Sequence, residues 1–159
     1  METISETARG HEEPFAMQFS IFLANRIGQL KELLDMFVEK NVPVHGVSII
    51  DSADWAVIRT VFSEPGKARE ILKAHGLSFV ESEVLLVELK DENTLSEICG
   101  HLLRAEISVH FAYPLTIRRN DNPVMVFHLD DYETARQTLR RHGLTIVGFE
   151  DLSDPGKIT

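Results

Sequence analysis

A chain of 159 residues, 43% of them hydrophobic, can bury a core, and its length admits one ordinary domain or two small ones. A formal net charge of −9 and a pI near 5.2 repel phosphate backbones, which argues against nucleic acid as a partner. One cysteine, Cys99, leaves no disulfide framework and no cysteine zinc cage, and no apolar run approaches the roughly 18 residues that span a bilayer.

Residues 1–14 are rich in Glu, Thr, Ser and His without periodicity, the mark of a solvated tail. They lack the basic start and apolar core of a secretory signal, so the cytoplasm is expected. Residues 15–24 follow as a strand, since Met17, Phe19, Ile21 and Leu23 alternate with Gln18, Ser20 and Phe22. The turn Asn25, Arg26, Ile27, Gly28 leads into a helix over about 28–40, striped by Leu30, Leu33, Leu34, Phe37 and Val38. A strand over 42–51 and another over 55–62 come next, joined at Ser52, Ala53 and Asp54. Ser63 stands where a helix cap is wanted, with Pro65 tolerated in the first turn. That second helix, carrying Ala68, Ile71 and Leu72, stops at His75 and Gly76, and a strand over 78–83 completes the order βαββαβ.

The order then repeats. Ala68, Arg69, Leu72, His75, Gly76, Leu77 and Val80 recur as Ala135, Arg136, Leu139, His142, Gly143, Leu144 and Val147, each 67 positions on. Leu30, Glu32, Val44 and His45 recur as Leu95, Glu97, Val109 and His110, 65 positions on, whereas Phe19, Ile21 and Leu23 match Leu85, Val87 and Leu89 at 66. So many coincidences in register mark a duplicated unit, and the drop from 66 to 65 makes the second strand-to-helix turn one residue shorter. Each unit has about 70 residues, too few for a robust core alone, so the halves are expected to pack on each other and on a second chain.

The shortening separates the two helix starts chemically. Thr94 and Glu97 stand in capping-box spacing, which predicts a self-satisfied entrance to the later helix. Ile27, Gly28, Gln29 and Leu30 carry no Ser, Thr or Asp cap, and glycine leaves room for a small group against the backbone N–H donors. Asn25 remains a candidate cap if the helix begins early.

The doubled βαββαβ pattern, the glycine in the first turn and the run Asn41, Val42, Pro43, Val44, His45, Gly46 together resemble the ACT domain. Asp51 to Trp55 leading to Ile58 and Arg59, and Glu83 running straight into Val84 and Leu85, are similar to small stand-alone prokaryotic proteins of two tandem ACT domains. The resemblance implies an α+β fold of two ferredoxin-like units with antiparallel sheets side by side. Domain 1 would span 15–83 and domain 2 84–152, followed by a C-terminal tail over 153–159. It also implies a small ligand, usually an amino acid, held between units by the glycine turn of one and the second strand of the other. Carried over, Asn25, Ile27, Gly28, Gln29 and Leu30 form one wall, and Val109, His110, Phe111, Ala112 and Tyr113 face them. A mirror site would set 91–94 against 44–48, and the missing glycine counts against it. A carboxylate at a helix N-terminus gains about 0.3 to 2 kcal/mol from the dipole, which suits micromolar to millimolar binding by a metabolite sensor.

Other residues have plainer readings. His45 and His110 share an equivalent strand position, but nothing supplies a third metal ligand at characteristic spacing. His75 and His142 sit in last helical turns, where an imidazole favours the carbonyl end. Cys99 matches Leu34 and is expected in the core with Leu95 and Leu103. Trp55 suits an interface or core, and Arg118 and Arg119 an exposed hairpin. No Walker loop, Gly-x-Gly-x-x-Gly, His-Glu-x-x-His or Gly-x-Ser-x-Gly occurs, so neither catalysis nor a cofactor is expected. The sequence predicts a non-catalytic, amino-acid-binding regulatory protein, homodimeric and read out by a partner enzyme or by a change in assembly. The rival is a ligand-free ferredoxin-like interaction scaffold; an RNA reader needs more exposed aromatic and basic residues than Phe22 and Arg59.

Overall fold

The computed structural model describes residues 16–24 and 26–152. The tails expected over 1–14 and 153–159, and Asn25, lie outside the described residues. The chain divides into two compact units, Met17–Ser82 and a second that takes in Ala16 and the described residues from Glu83 onward.

In the first unit, β1 (Ala16–Ala24) leads to α1 (Gln29–Glu39), β2 (Val44–Asp51), β3 (Trp55–Phe62), α2 (Pro65–Ala74) and the start of β4 (Ser78–Glu88). β3 pairs antiparallel with β1 on one side and β2 on the other, and β1 also pairs with β4, giving the order β4-β1-β3-β2. Alternation along β1 puts Phe19, Ile21 and Leu23 on the face that packs against Leu33 and Phe37 of α1 and Leu72 of α2. Rings lock this core: Phe62 meets Phe19 edge-on at 5.3 Å and Phe37 at 4.7 Å. Arg69 joins α2 to β4 through a two-point bond to Glu81 at 2.6 and 2.7 Å.

The second unit repeats the plan. Its opening strand is the latter part of β4, one uninterrupted strand of 11 residues, in keeping with Glu83 running straight into Val84 and Leu85. Then come α3 (Thr94–Arg104), β5 (Val109–Arg119), β6 (Asn122–Leu129), α4 (Tyr132–Arg141), β7 (Ile146–Val147) and α5 (Phe149–Leu152). β4 pairs antiparallel with β6 and β7, and β6 with β5, so the order is β7-β4-β6-β5, the same as before. Leu85, Val87, Ile98, Leu102, Phe127 and Leu139 form the core.

Which helix face is buried differs from the sequence expectation. α3 buries Ile98 and Leu102, the counterparts of Leu33 and Phe37, while Cys99 is exposed and Leu103 is 76% exposed. Cys99 is one residue round the helix from Ile98, about 100° away, and that rotation takes it off the sheet. Leu34 is half-buried and Val38 is 72% exposed in the same way. Trp55 also lies largely in solvent. At the start of α2 the cap position belongs to Glu64, not Ser63, with Pro65 as first helical residue. At α4 the carboxylate of Asp131 accepts from Thr134 N at 3.1 Å.

The β5–β6 hairpin turns through Asn120 and Asp121, both left-handed (φ 51° and 65°), the pair of conformations a two-residue type I′ turn demands. Arg118 clasps this turn by donating to the Asp121 carbonyl. Arg119 is not the exposed residue the sequence suggested. It reaches Glu88, which is 2% exposed, at 3.0 Å.

Candidate functional site

β1 delivers the chain to a tight turn before α1. Arg26 N donates to the Ala24 carbonyl at 2.9 Å and Gln29 N to the Arg26 carbonyl at 3.3 Å. Gly28 stands at the N-cap with φ 88° and ψ −10°, and its carbonyl accepts the first helical bond from Glu32 N at 3.0 Å. A residue with a Cβ would lose about 1–2 kcal/mol in that left-handed conformation, so the backbone itself asks for glycine. A Cβ built there nevertheless meets no atom within 4 Å, so the space beside the helix entrance is open. Among the described residues no side chain caps α1. Gln29 N already has the Arg26 carbonyl, so Leu30 and Lys31 are the first-turn N–H groups to which no described side chain brings a capping oxygen.

The surrounding side chains follow from the turn. Ile27 is fully exposed, Gln29 and Leu30 are half-buried, and Leu30 packs against the core of its unit. Gln29 Nε2 donates to Glu32 Oε1 at 3.3 Å, across the first turn.

The entrance to α3 is built differently. The N-cap is Asn93, in right-handed conformation and without a side-chain cap bond, so Thr94 and Glu97 fall one position too late to form the expected capping box. Asp91 closes the loop instead: its Oδ1 accepts from Asn93 N at 2.8 Å and from the Thr94 hydroxyl at 3.0 Å. Thr94 Oγ1 in turn accepts from Asp91 N at 3.1 Å. The Asn93 N–H, with the Thr94 hydroxyl second, holds the Asp91 carboxyl below its ordinary range. Among the described residues the contrast between the two entrances thus lies in the loops, one bent at Gly28, the other tied by Asp91 and Thr94, and not in a side-chain cap on either helix. An Asp three residues before a Thr was a visible signal for this lock.

On β5, Val109 is 39% exposed, His110 and Ala112 are exposed, Phe111 is half-buried and Tyr113 is 5% exposed. Phe111 and Tyr113 share a face, their rings stacked 6.3 Å apart, and Phe111 stacks on His128 of β6 at 4.7 Å. Both strands that follow the first helices carry a register shift at the duplicated histidine, between Val44 and Gly46 and between Val109 and Phe111. His45 is buried, and burial lowers its pKa; His110 is in solvent. Among the described residues no group of three or more His, Cys, Asp or Glu is placed to hold a metal ion.

Within its unit, the carboxylate of Glu88 collects two donors, Arg119 Nη1 at 3.0 Å and Asn122 Nδ2 at 2.6 Å. Sequence reasoning missed this clasp, although a glutamate closing the apolar run Leu85, Leu86, Val87 was its signal.

Two βαββαβ repeats in one chain, each a four-stranded antiparallel sheet with two helices, define a paired α+β module. The chain belongs to the family of the ACT domain pair, which it matches over residues 15–155. No curated protein matches it in sequence. Among solved structures it is similar to protein BT0572 from Bacteroides thetaiotaomicron, with a TM-score of 0.79 and 22% identity over 87% of this chain and 95% of that one. It is also similar in fold to the regulatory subunit of aspartate kinase from Thermus thermophilus in its ligand-free form (TM-score 0.55, 11% identity, 80% and 91% covered). The corresponding subunit from Thermus flavus gives 0.53, 13% identity, and 79% and 88% covered.

Proposed function

We propose that the protein is a non-catalytic regulator that binds a free amino acid at the entrance to α1, the ligand carboxylate lying against the backbone donors beside Gly28. The observation that carries this reading is the open, uncapped helix start in a chain of the ACT pair family. Asn25, Ile27, Gly28, Gln29 and Leu30 are proposed to contact the ligand from one ACT domain (15–83). Val109, His110, Phe111, Ala112 and Tyr113 are proposed to contact it from the next (84–152). Each domain is taken as a ferredoxin-like unit, the two sheets side by side in a cytoplasmic homodimer. The signal is taken to pass to a partner enzyme or to a change of assembly. No helix among the described residues is long and apolar enough to cross a membrane.

The test is a thermal-shift screen of the twenty amino acids on protein freed of ligand by unfolding and refolding. One of them should raise the melting point. Gly28→Asn, which tolerates positive φ but adds bulk, should abolish the rise without loss of fold. No rise with any amino acid sinks the reading.

A scaffold without a ligand is favoured by one observation, the apolar surface left on α1 and α3. Val38 and Leu103 are about three-quarters exposed, and Leu34, Val38 and Pro43 line an open hollow of about 550 Å³. Mass spectrometry of small molecules released from the native protein separates the two readings.

A further inference from the structure

The two halves part company between their helices. In the second unit the C-terminal ends of α3 and α4 are closed by rings: His101 stacks on His142 with centroids 4.0 Å apart, and Arg104 donates to His101 Nδ1 at 2.9 Å. The position 65 residues before His101 is Met36, which packs into the core of its own unit, so His75 has no ring laid over it from α1. There the end of α1 and the flank of α2 from Lys67 to His75 border a hollow of about 350 Å³. Val42, Ile71 and Ala74 give it an apolar lining. Lys40, Lys67, Glu70 and His75 surround that lining with charge of both signs and an imidazole.

We infer that this hollow is a second small-molecule site, for a free aliphatic amino acid. The volume is at the low end for ligand pockets, about 300–1,000 Å³, which selects a small occupant. The apolar lining suits a branched hydrocarbon side chain. Lys40 and Lys67 supply cations for a carboxylate, although Lys67 is shared with Glu64 at 2.7 Å. Glu70 supplies the partner for an ammonium, and the carbonyl ends of two helices add to the attraction for positive charge. His75 donates its Nδ1 proton to the Ile71 carbonyl at 2.9 Å, which leaves Nε2 as the ring atom available to a ligand. A zwitterion with an apolar body meets all of these groups; a plain acid or amine meets only some. The site does not involve the Gly28 turn and stands independently of the function proposed for it.

The experiment is a titration of the full ¹⁵N-labelled chain with L-leucine, followed by amide correlation spectra, with 4-methylpentanoate and 3-methylbutylamine as single-charge controls. Saturable movement of the Val42, Ile71, Ala74 and His75 amides in about the millimolar range is expected. Each control should bind at least about tenfold more weakly. Ala74→Arg, which installs the residue that Arg141 provides in the twin, should remove the response, and Lys40→Gln should weaken it if the arginine variant does not fold. Movement confined to residues 26–30 and 109–113 would overturn this site while supporting the one at Gly28. Equal binding of either control, or unchanged binding in the variants, would overturn it as well.

Discussion

His75 and His142, 67 positions apart in the chain, make the same bond: each ring Nδ1 donates to the carbonyl four residues earlier, Ile71 at 2.9 Å and Thr138 at 2.8 Å. Each is followed by a left-handed glycine, Gly76 or Gly143, that closes its helix. Replacing either histidine with alanine should cost about 0.5–1.5 kcal/mol for the lost hydrogen bond. His142→Ala should cost more than His75→Ala, because only His142 also loses a stacked neighbour, His101. Urea unfolding of both variants under one set of conditions measures the difference.

The clasp on Glu88 is the most consequential ion pair among the described residues, because the carboxylate is 2% exposed. Glu88→Ala leaves Arg119 and Asn122 without their acceptor and should destabilise by about 3 kcal/mol. The exposed pair Lys31–Asp35, at 2.7 Å, should be worth no more than about 0.5 kcal/mol when either partner is removed. Equal losses in the two experiments would contradict the burial assigned to Glu88.

Acid should weaken the fold in two stages. Burial lowers the pKa of His45; desolvation, then His142 and Arg104, lower that of His101. Both rings are therefore neutral in the native state at pH values where the unfolded chain already takes up protons. Their contribution is fully present above the ordinary value of 6.5 and is lost as pH falls through the lowered folded values. Glu81, held down by Arg69, and Glu133, held down by Arg136, act the same way below about 4.5. Unfolding free energy measured from pH 8 to 4 should decline below about pH 6.5, and His45→Phe combined with His101→Phe should flatten the upper stage.

Cys99 offers a direct check on how α3 is turned. Its exposure predicts that the native protein reacts with a thiol reagent at close to the rate of the unfolded chain, and that Cys99→Ser changes stability by less than about 0.5 kcal/mol. Ile98→Ala, one position away and fully buried, should cost about 2–5 kcal/mol. A protected thiol would mean that the Leu95, Cys99, Leu103 stripe is covered.

Gly28→Ala separates backbone from space. With φ at 88° the variant should lose about 1–2 kcal/mol, yet a single methyl group meets no neighbour. Gly28→Asn should lose less, since asparagine tolerates the left-handed region. Differential scanning calorimetry of the two variants should rank them in that order.

The sequence by itself determined the periodic features: the strand and helix order, the duplication, the helix-closing glycines at 76 and 143 and the buried face of β1. Each of these is fixed by local spacing, by period 2 or 3.6 or by the one residue type that accepts positive φ. Only the tertiary structure decided which of two adjacent apolar stripes on α1 and α3 faces the sheet, because Leu33 and Leu34, or Ile98 and Cys99, are equally apolar until a sheet is set against one of them. It also decided that Asp91 ties the loop before α3 in place of a Thr94–Glu97 box, since a cap depends on the residue at which the helix begins. The meeting of Glu88 with Arg119 and Asn122 has the same origin. Residues 31 and 34 positions apart come within hydrogen-bond distance only when three strands align in register.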